Sequence, residues 1–94
     1  MVAPTHLKSL QALELAARLG SLKDAAAALA ITPAAVGQRI KALEDYLGRD
    51  LLMRGRSGLR PAPALENALV HLRAAFHELD LASEALSLER VHDV

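Results

Sequence analysis

The sequence predicts a mainly α-helical domain: three helices around a small core, then a short β-hairpin, then one long closing helix. Three observations carry this reading. Hydrophobic residues make up 52% of the 94, but many are alanine and only 2% of the chain is aromatic, which suits closely packed helices better than a sheet. Apolar residues recur at helical spacing through most of the chain. One stretch, "DLLMRGRSGLRPAP" from Asp50 to Pro63, breaks that spacing and carries glycines on both sides of a short polar tip.

The first helix is predicted from about Pro4 to Leu19. Leu7, Leu10 and Leu13, followed by Ala17, give it one apolar stripe, and Gly20 is a natural stop. Ser21 is placed to cap the next helix, with Asp24 three residues on as in a capping box. That helix is short, about Leu22 to Leu29, with Leu22, Ala25, Ala26 and Leu29 facing inward. Ala30 and Ile31 make a tight connection. Thr32 then caps a third helix that begins at Pro33, where a missing N–H costs nothing, and closes at Gly48. Two short helices joined in this way read as a helix-turn-helix. The hairpin follows, with Arg54, Arg56 and Arg60 on or beside its tip and Pro61 and Pro63 ending it. The last helix fills about Ala64 to Leu88, and the terminal "RVHDV" is expected to fray.

At 100° per residue, Val36, Ile40, Leu43 and Leu47 gather on one side of the third helix, within about 60° of each other, as core anchors. The opposite side carries Ala34, Gln38, Lys41 and Asp45, with Ala35 and Arg39 on one edge and Gly37 on the other. Small side chains at the start of this helix allow something to approach closely. Gln38 both donates and accepts, which matches an adenine edge in the DNA major groove, while Arg39 and Lys41 match phosphates or guanine. The helix N-terminus adds a partial positive charge. Gly37 costs roughly 1 kcal/mol relative to alanine inside a helix, a cost that either close contact with a partner offsets or the fold simply tolerates.

Charge separates along the chain. Residues 1–60 hold nine Lys/Arg and five Asp/Glu, a balance of +4, and residues 61–94 hold two and six, a balance of −4. A polyanion would therefore meet the front half. Other functions find no support: the sequence has no cysteine, no glycine-rich phosphate loop, no metal-ligand spacing and no acid–base pair. His71 and His77 lie six residues apart on different faces of the last helix and read as surface histidines. We expect no enzyme, no cofactor and no metal. No apolar stretch approaches the roughly 20 residues that cross a membrane, and the N-terminus lacks a signal-peptide pattern.

Over about Leu7 to Leu69 the chain resembles the DNA-binding domain of LysR-type transcriptional regulators. The resemblance rests on the order and spacing of Leu7, Leu10, Leu13, Gly20–Ser21, Ala25–Ala26, Leu29 and "IKALEDYLG" at Ile40–Gly48. "TPAAV" at Thr32–Val36 looks like the subgroup related to the glycine-cleavage activator. Leu13 and Leu22 stand where the family usually has phenylalanine, Gly37 where serine is usual, and Gln38 where arginine or another polar residue is common. "APAL", Ala62–Leu65, lacks the usual threonine and glycine.

The resemblance implies a winged helix-turn-helix over residues 1–63, a linker helix for dimerisation over 64–94, and an effector-binding domain that this chain does not contain. It implies a bacterial, cytoplasmic, nucleoid-associated regulator that binds a roughly palindromic site in double-stranded DNA. Contact would run through the recognition helix 32–47 and the wing 53–60, with Ser21, Thr32, Pro33, Ala34, Ala35, Gly37, Gln38, Arg39, Lys41, Arg54, Arg56 and Arg60 as candidate contacts. The last helix has its own pattern: Leu65, Leu69, Leu72, Phe76, Leu79, Ser83 and Leu86 alternate in steps of four and three, with Ala68, Ala75 and Ala82 beside them. The N-terminal part of this helix is expected to pack on the chain's own first helix; we further expect Leu65, Leu69, Leu72, Phe76, Leu79 and Leu86 to pair with the same helix of a second chain, and a longer protein to form higher oligomers. Two alternatives stay open: a dimerising module that titrates a related regulator, and a winged-helix domain of another family, such as a metal- or molybdate-responsive repressor.

Overall fold

A computed structural model of the chain describes the backbone of residues 4–92 and the side chains of residues 6–88. Its elements run α1 (Pro4–Leu19), α2 (Leu22–Leu29), α3 (Pro33–Leu47), β1 (Leu52–Gly55), β2 (Gly58–Pro61) and α4 (Pro63–His92). The first three helices form one cluster, with α3 packed across both α1 and α2. The core joins Ala12, Leu13 and Ala16 of α1, Ala25 and Ala26 of α2, Val36, Ile40 and Leu43 of α3, then Leu51, Leu65 and Leu69. Alanines on α1 and α2 let the helix axes come close, and the larger Leu13, Val36 and Leu65 fill the remaining space.

Local chemistry sets the helix ends. The Ser21 hydroxyl accepts the Asp24 N–H at 3.1 Å, and the Thr32 hydroxyl accepts the Ala35 N–H at 3.1 Å. Each satisfies a donor that the first helical turn leaves unpaired. Ala30 ends α2 in the left-handed region, φ 57°, so that the Ile31 N–H reaches the Ala26 carbonyl at 3.1 Å. The two strands pair antiparallel, Gly55 opposite Gly58 and Leu52 opposite Pro61, which leaves Arg56 and Ser57 as a two-residue turn. Pro61 thus belongs to the outer strand, where it needs no N–H, and Pro63 opens α4.

Four expectations change. The buried face of α1 is Ser9, Ala12, Leu13, Glu14 and Ala16, while Leu7 is half exposed. Of the predicted stripe, Leu13 is in the core and Leu10 and Ala17 pack against it, and Ala12 and Ala16 join them; only Leu7 falls outside. Leu47 is 48% exposed and no core anchor; it lines an open apolar groove with Leu10, Leu43 and Leu72. Leu65 and Leu69, expected between chains, are 2% and 5% exposed and belong to the chain's own core. Finally, α4 extends to His92, four residues past the expected end at Leu88; Asp93 and Val94 lie outside the described residues.

The buried Glu14 carboxylate is paired with Arg18, which donates from Nε at 2.8 Å and from an Nη at 3.3 Å. That hydrogen bond, and then Glu14's charge, push the Arg18 guanidinium above its already high pKa, with Asp80 of α4 adding to the effect. A charged acid can sit in this core because its partner is built one turn away. From His77 to Leu88 every side chain of α4 is exposed, and the molecule is drawn out to 49 Å along its longest axis.

Ala30 pays for its left-handed backbone with no side-chain contact to show for it, since it is exposed. Ala30→Gly is therefore expected to stabilise the chain by about 1 kcal/mol. Urea unfolding should show a higher midpoint at an unchanged m-value.

Candidate nucleic-acid interface

The outward side of α3 begins at its cap. Thr32, Pro33, Ala34, Gln38 and Lys41 are exposed, and Ala35, Gly37 and Arg39 are half buried along its edges. The first turn of α3 contains no acidic residue to compete for its N-terminal N–H groups. Val36 and Ile40 hold the opposite side in the core, so this face cannot rotate inward without emptying it. Lys41 is 3.5 Å from Asp45, an exposed pair worth little in water, and its ammonium can exchange that partner for a phosphate at small cost.

Gly37 sits differently from expectation. It faces partly toward α2, where an added Cβ would meet only the Leu22 Cδ1 at 3.8 Å, an ordinary contact. The chain's own packing therefore does not require glycine there.

The hairpin places Arg54, Arg56 and Arg60 in solvent. It lies against the turn between α1 and α2: the Leu59 N–H donates to the Gly20 carbonyl at 3.0 Å. Between turn and hairpin runs an open cleft of about 380 Å³, lined among others by Ser21, Leu22, Arg54, Ser57 and Leu59. Ser21 thus sits at its inner wall, already engaged as a cap. At the hairpin's base one Glu44 carboxylate oxygen accepts the Leu51 N–H at 2.7 Å and the Leu52 N–H at 3.4 Å. The Ala62 N–H donates to the Leu51 carbonyl at 2.9 Å.

Sequence reasoning passed over Glu44 and Gly58. A signal for Glu44 was available. It is an acid in the last turn of a helix that has no base there, against the helix dipole, and such a placement calls for a partner. For Gly58 the sequence shows turn chemistry alone, because its neighbour Gly20 is distant in sequence.

Among the described residues no helix is long and apolar enough to cross a membrane, and no cluster of three potential metal ligands occurs. His71 and His77 are both exposed on α4.

A three-helix cluster with a two-stranded hairpin behind its third helix defines a winged helix-turn-helix. Residues 7–66 match the model of the bacterial regulatory helix-turn-helix proteins of the LysR family, and the chain belongs to that family. The HTH-type transcriptional regulator LysG of Mycobacterium tuberculosis is 41% identical over 78 residues, covering 83% of this chain and 24% of that protein. The fold is similar to full-length LysG from Corynebacterium glutamicum with bound effector Arg: TM-score 0.67, 31% identity, over 93% of this chain and 29% of that one. It is also similar to the DNA-binding domain of CbnR in complex with DNA: TM-score 0.65, 25% identity, over 93% and 97%. The chain spans less than a third of the length of the curated regulators named here. The expected link to the glycine-cleavage activator finds no support among these relatives. "TPAAV" is a cap, a proline and small residues, which many helix starts share, and it does not separate subgroups.

Gly37→Ala is expected to raise the melting temperature of the free chain by roughly 4–8 °C, the equivalent of about 1 kcal/mol in a domain of this size. Circular dichroism measures it. An unchanged or lower melting temperature would mean that α2 and α3 sit closer than they do here.

Proposed function

We propose that this chain is the DNA-reading part of a bacterial transcriptional regulator and that it binds duplex DNA as a dimer. The observation that carries the reading is the outward face of α3: capped, free of acids at its start, small at its N-terminal end, and flanked by three exposed wing arginines. This face enters the major groove. Gln38 is placed to read a base edge, with Thr32, Pro33 and Ala34 at the closest approach. Lys41, Arg39, Arg54, Arg56 and Arg60 meet phosphates or the narrow minor groove, and Ser21 lies along the same cleft. The +4 balance of residues 1–60 supports the same side of the molecule.

Dimerisation rests on what α4 leaves uncovered. Leu65 and Leu69 are spent on the core, and Leu72 and Phe76 are half covered, but Leu79 and Leu86 are 49% and 67% exposed on the same stripe. A second copy of α4 covers them best, because the seam repeats at coiled-coil spacing with exposed Ala75 and Ala82 beside it. A twofold dimer presents two recognition helices to half-sites about one helical turn, or a multiple, apart.

Selection from a randomised duplex library near physiological salt tests the reading: an interrupted inverted repeat should be enriched. Retention without enrichment would leave phosphate binding alone, and no retention at low salt would favour a titrating interaction module. Gln38→Ala should alter base preference at one position of each half-site. Arg56→Ala should weaken every sequence alike and reduce the salt slope by about one. Leu79→Glu combined with Leu86→Glu should move the sedimentation coefficient to that of a monomer while circular dichroism stays helical, since neither residue is in the core.

A further inference from the structure

We propose that Gly58, the Gly20 carbonyl and the Glu44 carboxylate are positioning groups for DNA binding, which hold the wing at one fixed angle to α3. The inference rests on the interface described above. A two-stranded hairpin has little stability of its own in water. This one pairs four residues on each strand, and only Leu52 and Leu59 tuck partly against the core. The flanking Leu51 and Ala62 are buried and anchor the base, but apolar burial alone leaves the direction of the tip unset.

Polar contacts fix it, at two separated points. At the base, Glu44 Oε2 takes the N–H groups of Leu51 and Leu52 and ties β1 to the last turn of α3. Farther out, the Leu59 N–H is held by the Gly20 carbonyl. At that second point the fit is tight. A Cβ on Gly58 would lie 2.5 Å from the Gly20 oxygen, well inside contact distance, and its φ of +115° excludes ordinary side chains as well. Gly20 itself stops α1 with φ +70° and precedes the Ser21 cap of α2. One residue thus joins the end of α1, the start of α2 and the wing. The hairpin's outward tip, with Arg56 beyond the Gly55–Gly58 pair, converts a small shift at Gly20 into a larger one at the Arg56 guanidinium. Hydrogen bonds to phosphate tolerate only a few tenths of an ångström, and a loosened wing must also be ordered again on binding. None of the three groups belongs to the apolar core, so each can be altered without emptying it.

The test uses the whole chain and a duplex carrying the selected half-sites. Binding is followed by fluorescence anisotropy at several salt concentrations, and folding by circular dichroism. The variants are Gly58→Ala, Glu44→Ala, Glu44→Gln, Arg56→Ala, and Gly58→Ala with Arg56→Ala. Gly58→Ala should weaken binding about tenfold, as expected when a charged hydrogen bond is lost, and flatten the salt slope as Arg56→Ala does. The ranking of half-site sequences should stay the same. Glu44→Gln, which keeps an accepting oxygen, should recover most of what Glu44→Ala loses. The double variant should bind little worse than Gly58→Ala alone, because a displaced wing no longer uses Arg56. Arg56→Ala weakened while Gly58→Ala binds like the parent, or full additivity of the two, would overturn the positioning role. Both silent in a chain that still binds would overturn the wing contact itself.

Discussion

Everything outside the core of this chain is aimed by the packing of α1 against α3. Ala12 and Ala16 let the two helices approach, Leu13 fills the space between them, and Val36, Ile40 and Leu43 answer from α3. Each buried aliphatic side chain contributes roughly 1.5–3 kcal/mol relative to exposure, and in a domain this small few others can substitute. Fixing Val36 and Ile40 inward fixes Gln38 and Lys41 outward, because the two sets lie on opposite sides of one helix. The direction of the reading face is thus a by-product of core packing, with no contact of its own to maintain it.

The wing obeys a different rule. It adds little to the apolar core and hangs from hydrogen bonds to Glu44 and Gly20. Apolar packing orients the helices broadly, whereas a carboxylate with two N–H partners and a glycine-to-glycine contact set a narrow angle. A chain of this size can thereby keep three arginines in solvent and still present them in one direction. The long α4 follows neither rule. Its first turns complete the core through Leu65 and Leu69, the middle leans on α1 beside the Glu14–Arg18 pair, and the rest leaves the domain altogether.

Much of this was legible in the residues because it is local. Caps at Ser21 and Thr32, the stop at Gly20, the proline at Pro33 and the glycines of the hairpin each act within a few positions, and the element boundaries follow from them. What failed to show was whatever depends on distant partners. The stripe of α1 holds at Leu10, Leu13 and Ala17, but Leu7 lies outside the core, while Ala12 and Ala16, not part of the stripe, are fully buried. The repeat through α4 runs from Leu65 to Leu86 with Ser83 its one lapse, and periodicity alone does not tell where the chain's own core ends and a free seam begins. Gly58 looked like turn chemistry until Gly20, far away in sequence, was found against it. Of the candidate site, the exposed side of α3 and the wing arginines are readable, while for Glu44 the sequence signals the need for a partner but not which one, since it reaches across the Gly48 stop to the hairpin.

The central claim is that the N-terminal half of α3 and the wing form one binding face. The most direct measurement is an NMR titration of the ¹⁵N-labelled chain with a short duplex carrying its selected half-sites. The account predicts that amide signals shift at Thr32 to Lys41 and at Arg54 to Arg60, while the exposed stretch of α4 from Leu79 to Leu86 stays unchanged. Shifts gathered instead around Leu10, Leu47 and Leu72, with the start of α3 and the wing silent, would contradict it.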